Sequence, residues 1–303
     1  MQTINSLSEF HRLLSITPPL HPLVSVVLVS EIHAVNSNLW RHFSTDFYTI
    51  SLKNNIQSNV KYGQQYYDFD KGTMTFTAPK QVQSVEVDKT NAFNETIGTG
   101  YVLIFHSDFL KKHLLQSTIK NYGFFSYSLS EALHLSQQEE QNVVDIFQKI
   151  EKECQHIDKH TQDIILSQIN LLLTYSNRFY ERQFITRKAV NNDLLSKMEQ
   201  LLKDYFDNAE TLKSGLPTVE YLANQLNFST NYLSDMLRLL TGQNAQQHIH
   251  EKLLEKAKEK LLTTNLSVSE IAYELGFERS QSFNRLFKKK TEMSPLKYRQ
   301  SFN

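Results

Sequence analysis

The stretch from Thr218 to Thr291 contains one pattern twice. Thr218-Val-Glu-Tyr-Leu-Ala-Asn-Gln-Leu-Asn-Phe228 recurs as Ser267-Val-Ser-Glu-Ile-Ala-Tyr-Glu-Leu-Gly-Phe277, at an offset of 49 residues. One residue then enters the second copy. After it, Leu233, Met236, Leu237 and Thr241 match Phe283, Leu286, Phe287 and Thr291 at an offset of 50. Each copy opens on a hydroxyl residue suited to an N-cap, and Ser267 with Glu270 forms a full capping box. Thr218 has Tyr221 in the reciprocal position. The spacing predicts a short helix at about 219–226 and 268–275, then a tight turn, then a second helix at about 230–240 and 280–290. Asn227 and Gly276 suit the turns because both tolerate positive φ. Helix, short turn and helix, with apolar residues facing the crook, is the helix-turn-helix plan. Here it occurs at about 218–242 and 267–291.

Charge separates the two copies. The chain as a whole is balanced, with 32 basic and 32 acidic residues among 303, so a nucleic-acid surface must be local. Residues 279–299 hold Arg279, Arg285, Lys288, Lys289, Lys290, Lys297 and Arg299 against Glu292 alone, whereas 228–250 hold only Arg238 and Asp235. On the second helix of a helix-turn-helix, such a basic run becomes a phosphate-facing patch. Beside it, Ser280, Gln281, Asn284 and Arg285 occupy the half that approaches base edges. Arg grips guanine and Gln grips adenine in bidentate fashion, each worth ~1–3 kcal/mol of discrimination. The first copy offers Thr230, Asn231, Ser234, Asp235 and Arg238. Asp235 stands where Arg285 stands in the second copy. Its carboxylate repels phosphate but can accept from cytosine N4, so the first copy is expected to bind more weakly or read other features.

These residues carry a family resemblance. Leu266-Ser-Val-Ser-Glu-Ile-Ala-Tyr-Glu-Leu-Gly-Phe277, Ser282-Phe-Asn-Arg-Leu-Phe-Lys-Lys-Lys-Thr291, Met293-Ser-Pro-Leu-Lys-Tyr-Arg299 and Glu255-Lys-Ala-Lys258 resemble the C-terminal signature of the AraC/XylS family of bacterial transcription regulators. The likeness covers roughly 193–300. It implies two helix-turn-helix subdomains on one linking helix, with recognition helices entering successive major grooves of double-stranded DNA. It implies base contacts from Ser280, Gln281, Ser282 and Arg285, and from Asn231, Ser234 and Asp235. Two departures stand out: Asp235, and Glu292 where Gly is usual after Thr291, although Gly242 is kept in the first copy.

The first ~128 residues carry strand signals: Leu23–Val29, Phe47–Leu52, Thr73–Ala78, Val82–Val87 and Tyr101–Phe105. In the third, Met74, Phe76 and Ala78 share one face and the threonines the other. Many short strands at this spacing predict a small barrel or jelly roll. Asp46–Ile50 and Lys71–Pro79 resemble two strands of the cupin-like effector domain that many members of the family carry. From Ser136 the period becomes helical, with amphipathic helices at roughly 136–157 and 161–183 around a His156–His160 turn. The second helix either covers the β-domain or dimerises the chain. The polar stretch 186–192 reads as a linker before the domain at 193–303. The fold class is therefore α+β: a cupin-like β-barrel (1–135), a helical dimerisation segment (136–185), and an all-α tandem helix-turn-helix domain.

The β-domain lacks a catalytic signature. His33, His42, His106 and His113 are scattered, and Gln81 and Gln83 stand where a late metal-binding His would fall. His248-x-His250 lies in the linking helix, where neighbours two apart do not share a face. No catalytic residue, metal or cofactor is expected. A sensor needs only an apolar pocket with a few polar groups, and Trp40, His42, Phe47, Tyr48, Met74 and Phe76 are suitable candidates for a small-molecule effector. The lone Cys154 makes an intramolecular disulfide impossible. The chain shows neither a secretory leader nor the run of ~20 apolar residues a membrane helix needs, so a cytoplasmic location is expected.

The residues thus point to a sequence-specific, effector-responsive DNA-binding regulator, expected as a homodimer with RNA polymerase as a further partner. Two other readings stay open: a cupin-type metalloenzyme with a DNA-binding tail, and an adaptor that keeps the helix-turn-helix shape for protein contacts.

Overall fold

The computed structural model describes residues 2–32, 42–54, 61–62, 65–66, 72–83, 99–186, 188–208 and 210–302. They form two compact units, Met1–Gln183 and Phe184–Asn303.

The first unit is built on an antiparallel sheet of five strands in the order β2 (Val24–Leu28), β8 (Thr99–His106), β4 (Phe47–Asn54), β7 (Thr73–Thr77) and β9 (Leu133–His134). A short parallel pair, β1 (Gln2–Ile4) with β3 (Phe43–Thr45), and a hairpin, β5 (Lys61–Tyr62) with β6 (Gln65–Tyr66), complete the strands. Among the described residues the main sheet is open, with β2 and β9 at its edges. The strands expected at 23–29, 47–52, 73–78 and 101–105 are present. Of the one expected at 82–87, residues 84–87 lie outside the described residues, and Gln83 makes an isolated bridge to Phe43.

Period-two alternation gives the sheet two different faces. Register places Ile50 beside Leu103 and Phe76, and Leu52 beside Met74 and Tyr101. These side chains meet helices. Tyr101 stacks on Phe147 of α3 (Gln137–Gln155), and Phe76 packs against Tyr180 of α4 (Thr161–Thr186) and against Phe124 and Phe125 of a 3-10 turn. Ser136 and Glu139 form the capping box that starts α3. Glu140, one residue on, accepts from Asn54 Nδ2 at 2.5 Å and from the Gly72 amide at 3.2 Å, tying α3 to two strand ends. The helical pair is therefore, on this side, a lid over the sheet. The other face of α4 exposes Ile164 and Leu171.

On the opposite face, Phe47, Val27, Val102 and Ile104 join Ile4, Leu7 and Phe43 in a separate core. The helix α1 (Leu7–Leu13) contributes to it, capped by Ser6 accepting from Glu9 N at 3.2 Å. A short helix, α2 (Leu115–Thr118), and several 3-10 turns fill 107–131.

The second unit is helical: α5 (Lys188–Asp207), α6 (Glu210–Ser214), α7 (Val219–Leu226), α8 (Thr230–Thr241), α9 (Ala245–Thr263), α10 (Val268–Glu274), α11 (Ser280–Thr291) and α12 (Pro295–Gln300). Of the stretch expected as a linker, 188–192 are helical, as the start of α5. No Gly or Pro interrupts 182–207, and buried Leu194, Met198, Leu202 and Tyr205 recur at helical spacing. Polar residues ahead of such a stripe extend a helix as readily as they form a loop.

Candidate nucleic-acid interface

Both repeats fold as helix, turn and helix. Thr218 Oγ1 accepts from Tyr221 N at 3.0 Å, and Ser267 with Glu270 closes the capping box. Asn227 takes a left-handed conformation at φ 59°, and Gly276 does so at 90°. Gly276 is further constrained, because a Cβ there would lie 2.7 Å from the Gly215 carbonyl carbon. Only glycine allows both the turn and that approach.

The helices α8 and α11 are each 12 residues long and superpose in sequence at an offset of 50 from first residue to last. Their inner faces build the two cores. Leu233, Met236 and Leu237 are buried in the first. In the second, Phe283 and Phe287 are buried against Ile271, Ala272, Leu275 and Phe277 of the preceding segment and against Leu253, Ala257 and Leu261 of α9, with Leu286 partly buried at the margin. Burying two aromatic rings in this way contributes several kcal/mol.

The sequence-derived candidates lie on the outer faces. Thr230, Asn231, Arg238, Arg279, Gln281, Ser282, Arg285, Lys288 and Lys289 are exposed, and Ser234, Asp235, Ser280 and Asn284 are partly so. Their spacing on a 3.6-residue turn puts Gln281, Asn284, Arg285 and Lys288 along one stripe of α11. The counterpart stripe of α8 is Asn231, Ser234, Asp235 and Arg238.

The structure sharpens the inequality between the copies. Arg238 Nη1 and Asp235 Oδ1 form an ion pair at 2.8 Å, so each offsets the other's charge. Where α11 carries Lys289 and Lys290, α8 carries Leu239 and Leu240. At the position of exposed Ser282, α8 has Tyr232, buried and stacked on Phe228. Ser229 caps α8 by accepting from Tyr232 N at 3.3 Å, whereas Arg279 supplies no side-chain cap to α11. The inserted residue has moved a non-capping side chain into that position. This leaves amide donors of α11 at the end that carries positive dipole charge.

One basic residue of the 279–299 run is committed within the fold. Arg299, on α12, donates through Nε to the Leu261 carbonyl at 2.9 Å and through Nη2 to the Leu266 carbonyl at 2.7 Å. It caps the C-terminal end of α9 and fastens it to the segment leading into α10. The repeat gave no sign of this role, because the partners are backbone carbonyls. Lysines of α9 are also engaged: Lys252 with Glu255, Lys256 with Asp207 at 2.6 Å, and Lys260 with Glu274 at 2.7 Å. The Lys256 pairing holds the Asp207 carboxyl below its ordinary range. Among the described residues, Lys288, Lys289 and Lys290 form no ion pair.

A profile described as a helix-turn-helix domain matches residues 222–301. The segment is a helix-turn-helix domain of the AraC type. An HTH-type transcriptional regulator of Escherichia coli K12, YijO, itself uncharacterised, is 36% identical over 104 residues, which are 34% of this chain and 36% of that protein. The HTH-type transcriptional activator RhaS of Salmonella paratyphi B is 32% identical over 142 residues, 46% of this chain and 45% of that one. The chain thus spans less than half the length of either relative. Among solved structures, the C-terminal domain of the two-component response regulator yesN from Fusobacterium nucleatum is 35% identical over 33% of this chain and 96% of its own, at a TM-score of 0.29.

Of the six effector candidates, five are among the described residues, and these do not share one face of the sheet. Phe47 belongs to the Ile4–Leu7 core, whereas Tyr48, Met74 and Phe76 point to the helix-covered face, where Tyr48 stacks on Phe105. His42 is exposed and Trp40 lies outside the described residues. Among the described residues no three His, Cys, Asp or Glu side chains come together as a metal site, and no helix is long and apolar enough to cross a membrane.

Proposed function

We propose that the chain is a sequence-specific, DNA-binding transcription regulator of the AraC type. The observation that carries this reading is the pair of 12-residue helices, α8 and α11, each presenting a polar stripe from a capped helix-turn-helix. The names of the relatives, a transcriptional regulator and a transcriptional activator, support it. Arg285, Gln281, Asn284 and Ser280 read base edges, with Ser282 beside them, while Arg279, Lys288 and Lys289 hold phosphate. Thr230, Asn231, Ser234, Asp235 and Arg238 form the weaker second contact.

The sheet unit acts as a cupin-like sensor of a small molecule, and the exposed side of α4 pairs two chains. A ligand that favours one arrangement of the units shifts the population able to bind DNA, to the extent of its differential affinity. The regulator works in the cytoplasm, meets RNA polymerase at its promoters, and performs no catalysis. Binding of the full chain to duplex DNA across a salt series tests the reading. A specific complex whose affinity falls steeply with salt is expected. A flat salt response, or equal affinity for every duplex, overturns it.

A further inference from the structure

The face of the main sheet that carries Phe47 is apolar at one end and changes character along β4. Phe47 is followed on that face by Thr49, Ser51 and Lys53. Register sets Ser51 beside Thr75, and Lys53 beside Thr73, on the neighbouring strand. Alternating hydroxyls usually mark a face washed by solvent. Here two of them are closed off from it, Ser51 and Thr73 being only 8% and 9% exposed, while Thr49 and Thr75 are partly buried. The same face, a few residues away, is the closed core of Phe47, Val102 and Ile104. At this end the face is half-buried, lined by hydroxyls and one ammonium.

Lys53 is partly buried, and even a partly buried lysine usually finds a partner, because desolvation penalises the charged form. Among the described residues, Lys53 makes no ion pair and no hydrogen bond. Burial pushes its ammonium below the ordinary lysine range. Asn54, the next residue, points to the other face and is satisfied through its Nδ2 by Glu140. That carboxylate is thus committed elsewhere. Gly100, the residue facing Lys53 on β8, adds no side chain to the space beside it.

We propose that Lys53, with Ser51, Thr49, Thr73 and Thr75, receives a small oxygen-rich anion, a carboxylate or a phosphate bearing hydroxyl groups. The ammonium meets the anionic group, and the row of hydroxyls exchanges hydrogen bonds with the rest. This deepens the sensor reading and rests on it.

The test uses the full chain with four probes: gluconate, glucose 6-phosphate, inorganic phosphate, and glucose as the neutral control. Calorimetric titration is expected to show saturable binding of at least one anion and none of glucose. Gluconate against the two phosphates separates carboxylate from phosphate. Lys53→Met should weaken that binding at least ten-fold, and Lys53→Arg should retain it within a few-fold. Lys53→Gln serves if the Met variant does not fold. Acylation of Lys53, read by mass spectrometry on the unaltered chain, should slow when the anion is present. Absence of binding by all three anions, unchanged affinity in the folded Lys53 variants, or equal binding of glucose overturns the proposal. Operator affinity separates the two layers. If an anion binds at Lys53 and leaves DNA affinity unchanged, the site stands and the sensor reading fails. If glucose alone binds and shifts DNA affinity, the sensor reading stands and the anion site fails.

Discussion

Asp235 and Arg238, one turn apart on α8, are joined by a 2.8 Å ion pair. The pairing makes the first recognition helix electrically quiet. Asp235→Ala removes a charge that repels phosphate and releases Arg238 to bind it. Affinity for random duplex should rise several-fold, and the slope of log affinity against log salt should steepen by about one phosphate contact. Salt-dependent mobility-shift assays check this, and a weaker grip on random DNA would show that Asp235 serves the contact directly.

The second recognition helix should divide its work between bases and backbone. Arg285→Ala is expected to lose ~1–3 kcal/mol on the preferred site and to relax specificity there, whereas Lys289→Ala weakens all sequences alike. Selection from randomised duplexes, run on both variants, distinguishes the two. Identical losses on specific and random DNA would end the assignment.

Arg299 should behave as a structural clamp. Arg299→Ala leaves the Leu261 and Leu266 carbonyls without its two charged donors and should cost ~1.5–3 kcal/mol in denaturant unfolding of the helical unit. Arg299→Lys, with one compact ammonium in place of a fork, should restore little of it. A loss of DNA affinity without any loss of stability would return Arg299 to the phosphate-binding set.

Much of the helical unit was legible because each signal was local. Caps, a positive-φ residue and apolar positions three or four apart all lie within a dozen residues of one another. The roles that escaped depend on distant or backbone partners. Arg299 reaches carbonyls 33 and 38 residues earlier. The parallel pair of Gln2–Ile4 with Phe43–Thr45 joins two three-residue strands, too short to show a period. The Ser6–Glu9 start of α1 was available as a capping pattern, but only Leu7, Phe10, His11 and Leu14 follow it. The effector candidates were chosen by residue type, and type alone does not say that Phe47 and Tyr48 face opposite ways. The Lys53 face is hidden in the sequence because hydroxyls alternating with apolar residues look like a solvated strand edge.

Glu292 ends α11 in a left-handed conformation, φ 62°, where Gly242 ends α8 at 79°. A side chain costs ~1–2 kcal/mol in that region, and glycine gives back part of the gain through its freer unfolded chain. Glu292→Gly should therefore stabilise the unit by roughly 0.5–1 kcal/mol. Chemical denaturation measures it, and a destabilised variant would mean that the carboxylate holds a partner worth more than the strain.

Cys154, buried on α3, is raised from an ordinary 9.0 to about 11, first by desolvation and then by Glu153 and Glu151. A folded pKa above the unfolded one contributes stability that is present below pH 9.0 and lost as pH rises through about 11. At pH 8 the folded thiol should alkylate about a hundred-fold more slowly than the unfolded one from ionisation alone. Mass-spectrometric alkylation rates in buffer and in denaturant check it. Equal rates would place Cys154 at the surface.

The 19-residue helix α9 has a consequence for how this chain can change over generations. It is held at its far end by Arg299 and along its length by Lys256 and Lys260. One residue inserted into it would swing everything downstream by ~100° and advance it ~1.5 Å. That would turn the proposed base-reading stripe of α11 away from a duplex held by α8. Exposed, unpaired side chains of α9 are free to drift, but its buried stripe and its length are not. Related chains that keep both halves on one duplex should therefore differ there by replacement and never by gain or loss of a residue.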